Sequence, residues 1–510
     1  MSLSDYVAAV VAVLRRRPGD LLPAYLVGAS IPAIVRTVPF LAVAVAYLFL
    51  ATTGRLEMIR TQLADLEQPP TDPNADPEQF EAWASGLEPV VDQLLAPPLL
   101  ALAAVTVLLS IALFALASAA VAAGQLAGCY GRLRDERGLV AALAGARRYW
   151  PRFLGLFVLE VLCWAAVLVA VGIVTAVVAG GVSLLGEVGL LAVPVVLLAV
   201  GVAMIALIAI RAVFAFAPVA VVVDDAGVFG SLRHAAGFVR RQPVDAGFYY
   251  VMAVGALLAL STVSGLLSLV DVVALGSLAT SLVLFPALDL LKTAVYCGYR
   301  GRLEPPASPT RSLRGQFGAG LGRGWSSLTG FVRSHPGTHA LVVVLAGLSF
   351  WAGWLVADPY AGTVETSIAA RLEGHFPPAA AVELFGNNWL VALSTAYGGL
   401  ALAVPAVVSL LFNGLFIGAI ARLEADPTQL AAFVAPHGIV EIPAILVAAA
   451  LGLSVGAAGW RTLRGRAGRV ELADTLERAF WILIGIGMVL AVAALIEGFV
   501  SPYYYRPFLP

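Results

Sequence analysis

Charge, cysteine and lysine are all scarce in this sequence, and each shortage excludes something. Charged residues make up 12% of the 510 positions against 60% hydrophobic, and mean hydropathy is +0.91. A soluble domain carries about 25% charged side chains, so this chain lacks the polar surface to cover itself in water. There are three cysteines, Cys129, Cys163 and Cys297, far apart and without CxxC or Cys/His spacing, so neither a disulfide framework nor a zinc site is expected from them. Lysine occurs once, at Lys292, and arginine carries nearly all of the 31 basic charges. With a formal net charge of -1 and no basic stripe interleaved with aromatics, no nucleic-acid partner is expected. Alternating ten-residue strands are also missing, which argues against a β-barrel. No Walker A motif and no GxSxG elbow occurs, so the chain is not itself an ATPase and carries no readable serine nucleophile.

Long apolar runs are what the sequence does have. Stretches of roughly 17–25 residues recur, each enough to cross a hydrocarbon core about 30 Å thick. The expected fold class is an all-α polytopic integral membrane protein with about eleven spans, in a six-span and a five-span bundle. Residues Ser4–Leu14 read as an amphipathic interfacial helix ended by Arg15-Arg16-Arg17-Pro18-Gly19. Since those arginines follow the first apolar run, a cleavable signal is not expected. Spans are then predicted within Leu22–Leu50 and at Leu99–Ala123, Phe153–Val178, Leu190–Phe214, Phe248–Leu267 and Leu275–Tyr296. The second set lies at Ala340–Val356, Trp389–Val404, Ala406–Ala421, Gly438–Ala458 and Phe480–Ile496. The domains expected are 1–299, a Gly/Arg-rich cytoplasmic linker at 300–334, and 335–510. Gly318-Ala-Gly-Leu-Gly322 mimics a nucleotide loop, but without a preceding strand it reads as linker.

Arginine placement sets the expected orientation. Arg15–Arg17, Arg132–Arg152, Arg233–Arg241, Arg300–Arg333 and Arg461–Arg469 all fall on one side of this threading, and by the positive-inside rule that side is the cytoplasm. The loop Arg55–Asp92, with nine acidic residues against two arginines, then lies outside. The expected location is the cell membrane, with the N-terminus cytoplasmic and the C-terminus outside.

Two sets of polar residues stand out in the oily background. An ionised side chain at the bilayer centre costs about 2.5–3.5 kcal/mol, so such residues persist where they meet one another or water. Asn387, Asn388, Asn413, His437, Glu441 and Glu497 form the first set, read as a polar pocket near the outer face. His437 and Glu441 are one helical turn apart and share a face. Both could ligate a divalent ion, but an HExxH motif would supply a second histidine that is missing here. The structural alternative is a buried hydrogen-bond network fixing helix packing. On that balance no catalytic residue, metal or cofactor is expected. Gly414 and Gly418 form a GxxxG pair that lets another helix approach. The second set is Arg36, Glu160, Arg211, Asp289 and Lys292, on the cytoplasmic side and expected to pair inside the bundle, a proton or ion path being the alternative.

Residues 330–510 carry Phe385-Gly-Asn-Asn388, Phe412-Asn-Gly414 with Gly418, His437-Gly-Ile-Val-Glu441-Ile-Pro443-Ala444 and Ile496-Glu-Gly-Phe-Val-Ser-Pro502, in that order. This series resembles the stage II sporulation protein M family of integral membrane proteins. The resemblance implies a five-span domain. In spore-forming bacteria the founding member anchors a complex of peptidoglycan-degrading enzymes during engulfment and is not itself known as a catalyst. Phe216-Ala-Pro218 through Asp224-Asp225 to Arg240-Arg241-Gln242-Pro243 more loosely resembles uncharacterised six-span membrane domains, some of them fused to glycerophosphodiester phosphodiesterases. No phosphodiesterase catalytic domain accompanies it here.

The function expected is a non-enzymatic membrane scaffold or accessory subunit organising an envelope-associated complex, with the lipid bilayer and membrane or envelope proteins as partners. The alternatives are a transporter or permease component, suggested by short broken spans and intramembrane charges, and an intramembrane metal-dependent hydrolase using His437 and Glu441.

Overall fold

A computed structural model describes residues 2–64, 66, 77–185, 189–362, 366–504 and 506–508. Among them there is no β-strand, only an isolated bridge between Thr366 and Glu424. Ten helical stretches are long and apolar enough to cross a membrane, and the chain is an all-α polytopic membrane protein.

The chain divides into two compact units. The smaller, Pro32–Ala115, contains most of α3 (Ile31–Thr52), the short helices α4 (Arg55–Ala64), α5 (Pro77–Gly86) and α6 (Glu88–Leu94), and the start of α7 (Pro97–Arg132). Its small core is Leu50, Ile59 and Val90. Arg36 lies in this unit, exposed and with no ion pair among the described residues. The stretch Arg55–Asp92, expected as an acidic loop, is instead largely helical, carrying α4, α5 and most of α6, and its residues 65 and 67–76 lie outside the described residues.

The larger unit, Met1–Ile31 with Leu116–Pro510, has two cores. The first gathers α1 (Leu3–Arg16), the end of α7, α8 (Gly138–Leu185), α9 (Gly189–Val223), α10 (Val228–Arg241), α11 (Pro243–Ser268) and α13 (Phe285–Tyr299). Aromatic rings at Phe216, Phe238, Tyr249 and Tyr296 fill its centre with tilted and edge-on contacts. Leu26 of α2 (Leu22–Ala29) joins the second core, formed mainly by α14 (Leu313–Ser334), α15 (Pro336–Ala357), α17 (Pro377–Gly398), α18 (Val404–Leu423), α19 (Pro427–Leu463) and α20 (Arg469–Phe499).

Two further stretches differ from the sequence expectation. Most of the anticipated linker is a helix: Ser312 accepts from the Gly315 amide at 3.2 Å and starts α14. That helix packs on α20, where a Cβ at Gly324 would come 3.0 Å from the Gly485 backbone nitrogen. Gly324 therefore serves contact with a neighbour, whereas Gly318, Gly322 and Gly330 face open space, a difference that composition alone cannot show. The span expected at Trp389–Val404 is displaced. Helix α17 starts at Pro377 and ends at Gly398, and Leu402 and Ala403 turn the chain with φ of 61° and 64°. Glu383, Asn387 and Asn388 lower the hydropathy of α17, which is why ten rather than eleven helices qualify as spans.

Small residues explain the tightness of the second core. A Cβ on Gly414 or Gly418 would collide with Ser349 and Phe350 of α15, and one on Gly452 would meet the Thr395 carbonyl of α17 at 2.7 Å. Without a hydrophobic force between helices in lipid, such backbone-to-backbone contact is a main source of association.

Candidate functional site

The first polar set separates into parts. Asp426 caps the start of α19, accepting from the amides of Thr428 (2.8 Å) and Gln429 (3.1 Å). Three turns on, this helix carries His437 and Glu441 between Pro436 and Pro443. Each proline removes one backbone donor from the helical ladder. Glu497 comes from the last turn of α20, and Ser501 opens α21 (Ser501–Tyr504).

Their donor atoms converge: one from each of His437, Glu441 and Glu497 all lie within 4.8 Å of one another. His437 Nε2 is 3.9 Å from Glu497 Oε1, while Nδ1 sits 2.9 Å from Ser501 Oγ and so fixes the ring plane. Phe433 packs edge-on against the imidazole at 5.5 Å. The site is buried, with 8% of the His437 side chain and 16% of the Glu497 side chain exposed. Oε2 of Glu441 and Oε2 of Glu497 are buried without a hydrogen-bond partner among the described residues. Orphaned carboxylate oxygens are costly in a low-dielectric interior, so this cluster is poorly satisfied as it stands. A tetrahedral ion with ligands at about 2.1 Å holds its donors about 3.4 Å apart, so the three side chains fit a divalent cation after an inward shift on the order of an ångström.

The asparagines belong elsewhere. Among the described residues Asn387, Asn388 and Asn413 share no hydrogen bond with His437, Glu441 or Glu497. Asn387 donates to Asn388 at 3.3 Å, and Asn413 donates to the Ser409 carbonyl in its own helix at 2.7 Å. Ser409 in turn meets Thr395 of α17 at 2.9 Å. A Cβ on Gly498 would touch Ala381, so the Glu497 level matches Ala381 on α17. Thr395 lies about 21 Å further along that helix at about 1.5 Å per residue, which assigns Asn413 to a deeper layer.

The second set forms two separate pairs. Arg211 Nη1 meets Glu160 Oε1 at 3.1 Å, and Lys292 Nζ meets Asp289 Oδ1 at 2.7 Å with the Tyr25 hydroxyl donating to the other oxygen at 2.9 Å.

Several polar hubs escaped the sequence reading. Asp20, 1% exposed, accepts from the Gly138 and Leu139 amides at 2.8 and 3.2 Å and faces Arg132 and Arg137. Asp224 accepts from Tyr296 at 2.6 Å and from Arg300, and His234 lies 3.0 Å away. Glu383 accepts from the Val273 and Ala274 amides at 2.7 and 2.8 Å, capping α12 (Ala274–Ala279). Glu424 is buried under Ile368, Thr366 and Arg371. Their partners are remote in sequence, so spacing gave no signal. Ser501 and Asp224 had another signal, since Ser501 lies in the Glu497–Pro502 segment that closes the family-like series and Asp224 in the Phe216–Pro243 segment similar to six-span membrane domains.

Comparison with family profiles finds two matches. Residues 340–502 match Stage II sporulation protein M, and residues 25–299 match a Family of unknown function (DUF7544). No curated protein and no solved structure matches.

Proposed function

The chain belongs to the Family of unknown function (DUF7544), and for a member with a stage II sporulation protein M region at its C-terminal end we propose a role as a non-enzymatic membrane scaffold or accessory subunit of an envelope-associated complex. The observation that carries this reading is the close packing of α15, α17, α18 and α19 through Gly414, Gly418, Gly399 and Gly452, whose contacts leave no room even for a methyl group. Such packing suits a rigid platform better than a transporter, which needs one bundle to rock against another. The Lys292–Asp289 pair is mostly buried and supports the same reading, whereas Arg211, paired with Glu160, stays 62% exposed. The arginine-rich connections favour a cytoplasmic N-terminus and an outside C-terminus in the plasma membrane. The test is affinity purification of the full chain from native membranes in mild detergent after cross-linking in cells. A stoichiometric membrane or envelope partner is expected, and recovery of the chain alone would overturn the proposal.

One observation favours a second reading, an intramembrane metal-dependent hydrolase: three donors and an oriented imidazole resemble a metal centre with a free coordination position. Metal content separates the two. After equilibration with Zn2+ or Mn2+ and gel filtration, about one ion per chain in wild type and none in Glu497→Gln would support it. No ion in wild type would leave the cluster as a helix lock.

A further inference from the structure

A groove of about 1620 Å³ runs between α1, α14 and α20, and its two ends differ in chemistry. One end holds six arginines, Arg15, Arg16, Arg17, Arg137, Arg311 and Arg323, against two carboxylates, Asp20 and Glu477. Arg16 is paired with Asp135 at 3.3 Å, and Arg137 with Asp20, Asp474 and Glu477. The other four have no carboxylate partner among the described residues. Arg15 donates to the Arg311 carbonyl at 2.9 Å, and Arg323 stands over the Trp481 ring at 4.7 Å. The opposite end is apolar, walled by Phe385, Trp389, Ile484, Met488 and Ala491.

Length matters as much as charge. From Glu477 at the basic end to Ala491 at the apolar end the groove follows one face of α20 for about 21 Å, at about 1.5 Å per residue. Half of a hydrocarbon core about 30 Å thick is about 15 Å, so the groove is long enough for one leaflet and a headgroup layer. We infer that it binds an anionic phospholipid, with the phosphate among Arg15, Arg17, Arg311 and Arg323 and the acyl chains along Trp389, Ile484 and Met488. A free anion would satisfy the arginines but leave the apolar arm wet. A neutral lipid would fill the arm but leave the arginines uncompensated. Basic pockets between membrane helices at an interface select anionic headgroups for this reason.

The test uses the full chain purified in a neutral detergent, with native mass spectrometry and thermal unfolding as readouts. Dioleoylphosphatidylglycerol should give one saturable adduct and raise the melting midpoint, while dioleoylphosphatidylcholine and inorganic phosphate should do neither. Each unpaired arginine near the headgroup contributes about fivefold, so Arg17→Gln with Arg323→Gln should weaken phosphatidylglycerol binding about thirtyfold. Ala491→Trp, which fills the apolar arm, should weaken the same adduct without touching the charges. Should the double variant not fold, Arg17→Gln alone, exposed and unpaired at the mouth, still reads the fivefold step. Equal binding of phosphatidylcholine, full stabilisation by phosphate alone, or unchanged affinity in these variants would each overturn the assignment.

Discussion

Asp20 is where a single atom change should matter most. Asp20→Asn keeps the shape but removes the negative charge facing Arg132, whose side chain is 1% exposed and 3.8 Å away. Two Arg132 nitrogens, Nε and Nη2, already lack partners among the described residues, and Nη1 donates to the Glu136 carbonyl at 3.0 Å. Stranding a buried charge costs about 3–5 kcal/mol. Asp135 remains 3.8 Å from Arg132, which moves the expectation to about 3 kcal/mol, the lower end of that range. Weakening the Gly138 and Leu139 amide bonds, which anchor the first turn of α8, adds to this. Arg132→Met should cost less, because Asp20 keeps both amides and Arg137 at 3.5 Å. In reversible unfolding in mixed micelles, the double variant should fall short of the sum of the singles by about 1–3 kcal/mol, as coupled neighbours do. An Asp20→Asn protein within about 0.5 kcal/mol of wild type, the range of an ordinary surface change, would refute the reasoning, as would strict additivity.

Other outcomes follow from the same contacts. Gly418→Ala puts a methyl group against the Phe350 backbone and should destabilise by about 1–3 kcal/mol, whereas Gly330→Ala meets open space in α14 and should stabilise by about 0.5–1 kcal/mol; parallel melting curves compare them. The Asp225 carboxyl is held below its ordinary range, first by the hydrogen bond from Arg152 at 2.7 Å and then by Arg148 nearby. Its folded-state pKa is depressed, so its contribution is present above the unfolded value of about 3.9 and is lost as pH falls through the folded value. Asp225→Asn should therefore cost up to about 1 kcal/mol at neutral pH, since the group is half exposed, and nothing in strong acid; a penalty that grows on acidification would contradict this.

Legibility differed by element. The apolar runs beginning near Leu99, Phe153 and Leu190 announced α7, α8 and α9 because a span must satisfy its own backbone, which makes hydropathy a local signal. Asp289 and Lys292, one turn apart, meet at 2.7 Å as helix periodicity allows, whereas His437, one turn from Glu441, bonds Ser501 and faces Glu497. Arg36 was expected to pair, but nothing local shows which neighbour a lone charge will meet. Glu383 was passed over because its partners, the amides of Val273 and Ala274, are distant along the chain.

By itself, then, the sequence determined that this chain lives in a membrane, which of its long apolar runs form helices, and which side chains are too polar to face lipid. Only the tertiary structure decided that Glu497 and Ser501 join His437 while the asparagines do not, that residues 313–334 form a helix in contact with α20 at Gly324, and that six arginines share a groove with an apolar wall. The reason is physical. Backbone satisfaction and transfer into hydrocarbon act residue by residue, but convergence of side chains from different helices depends on crossing and register set by distant small residues.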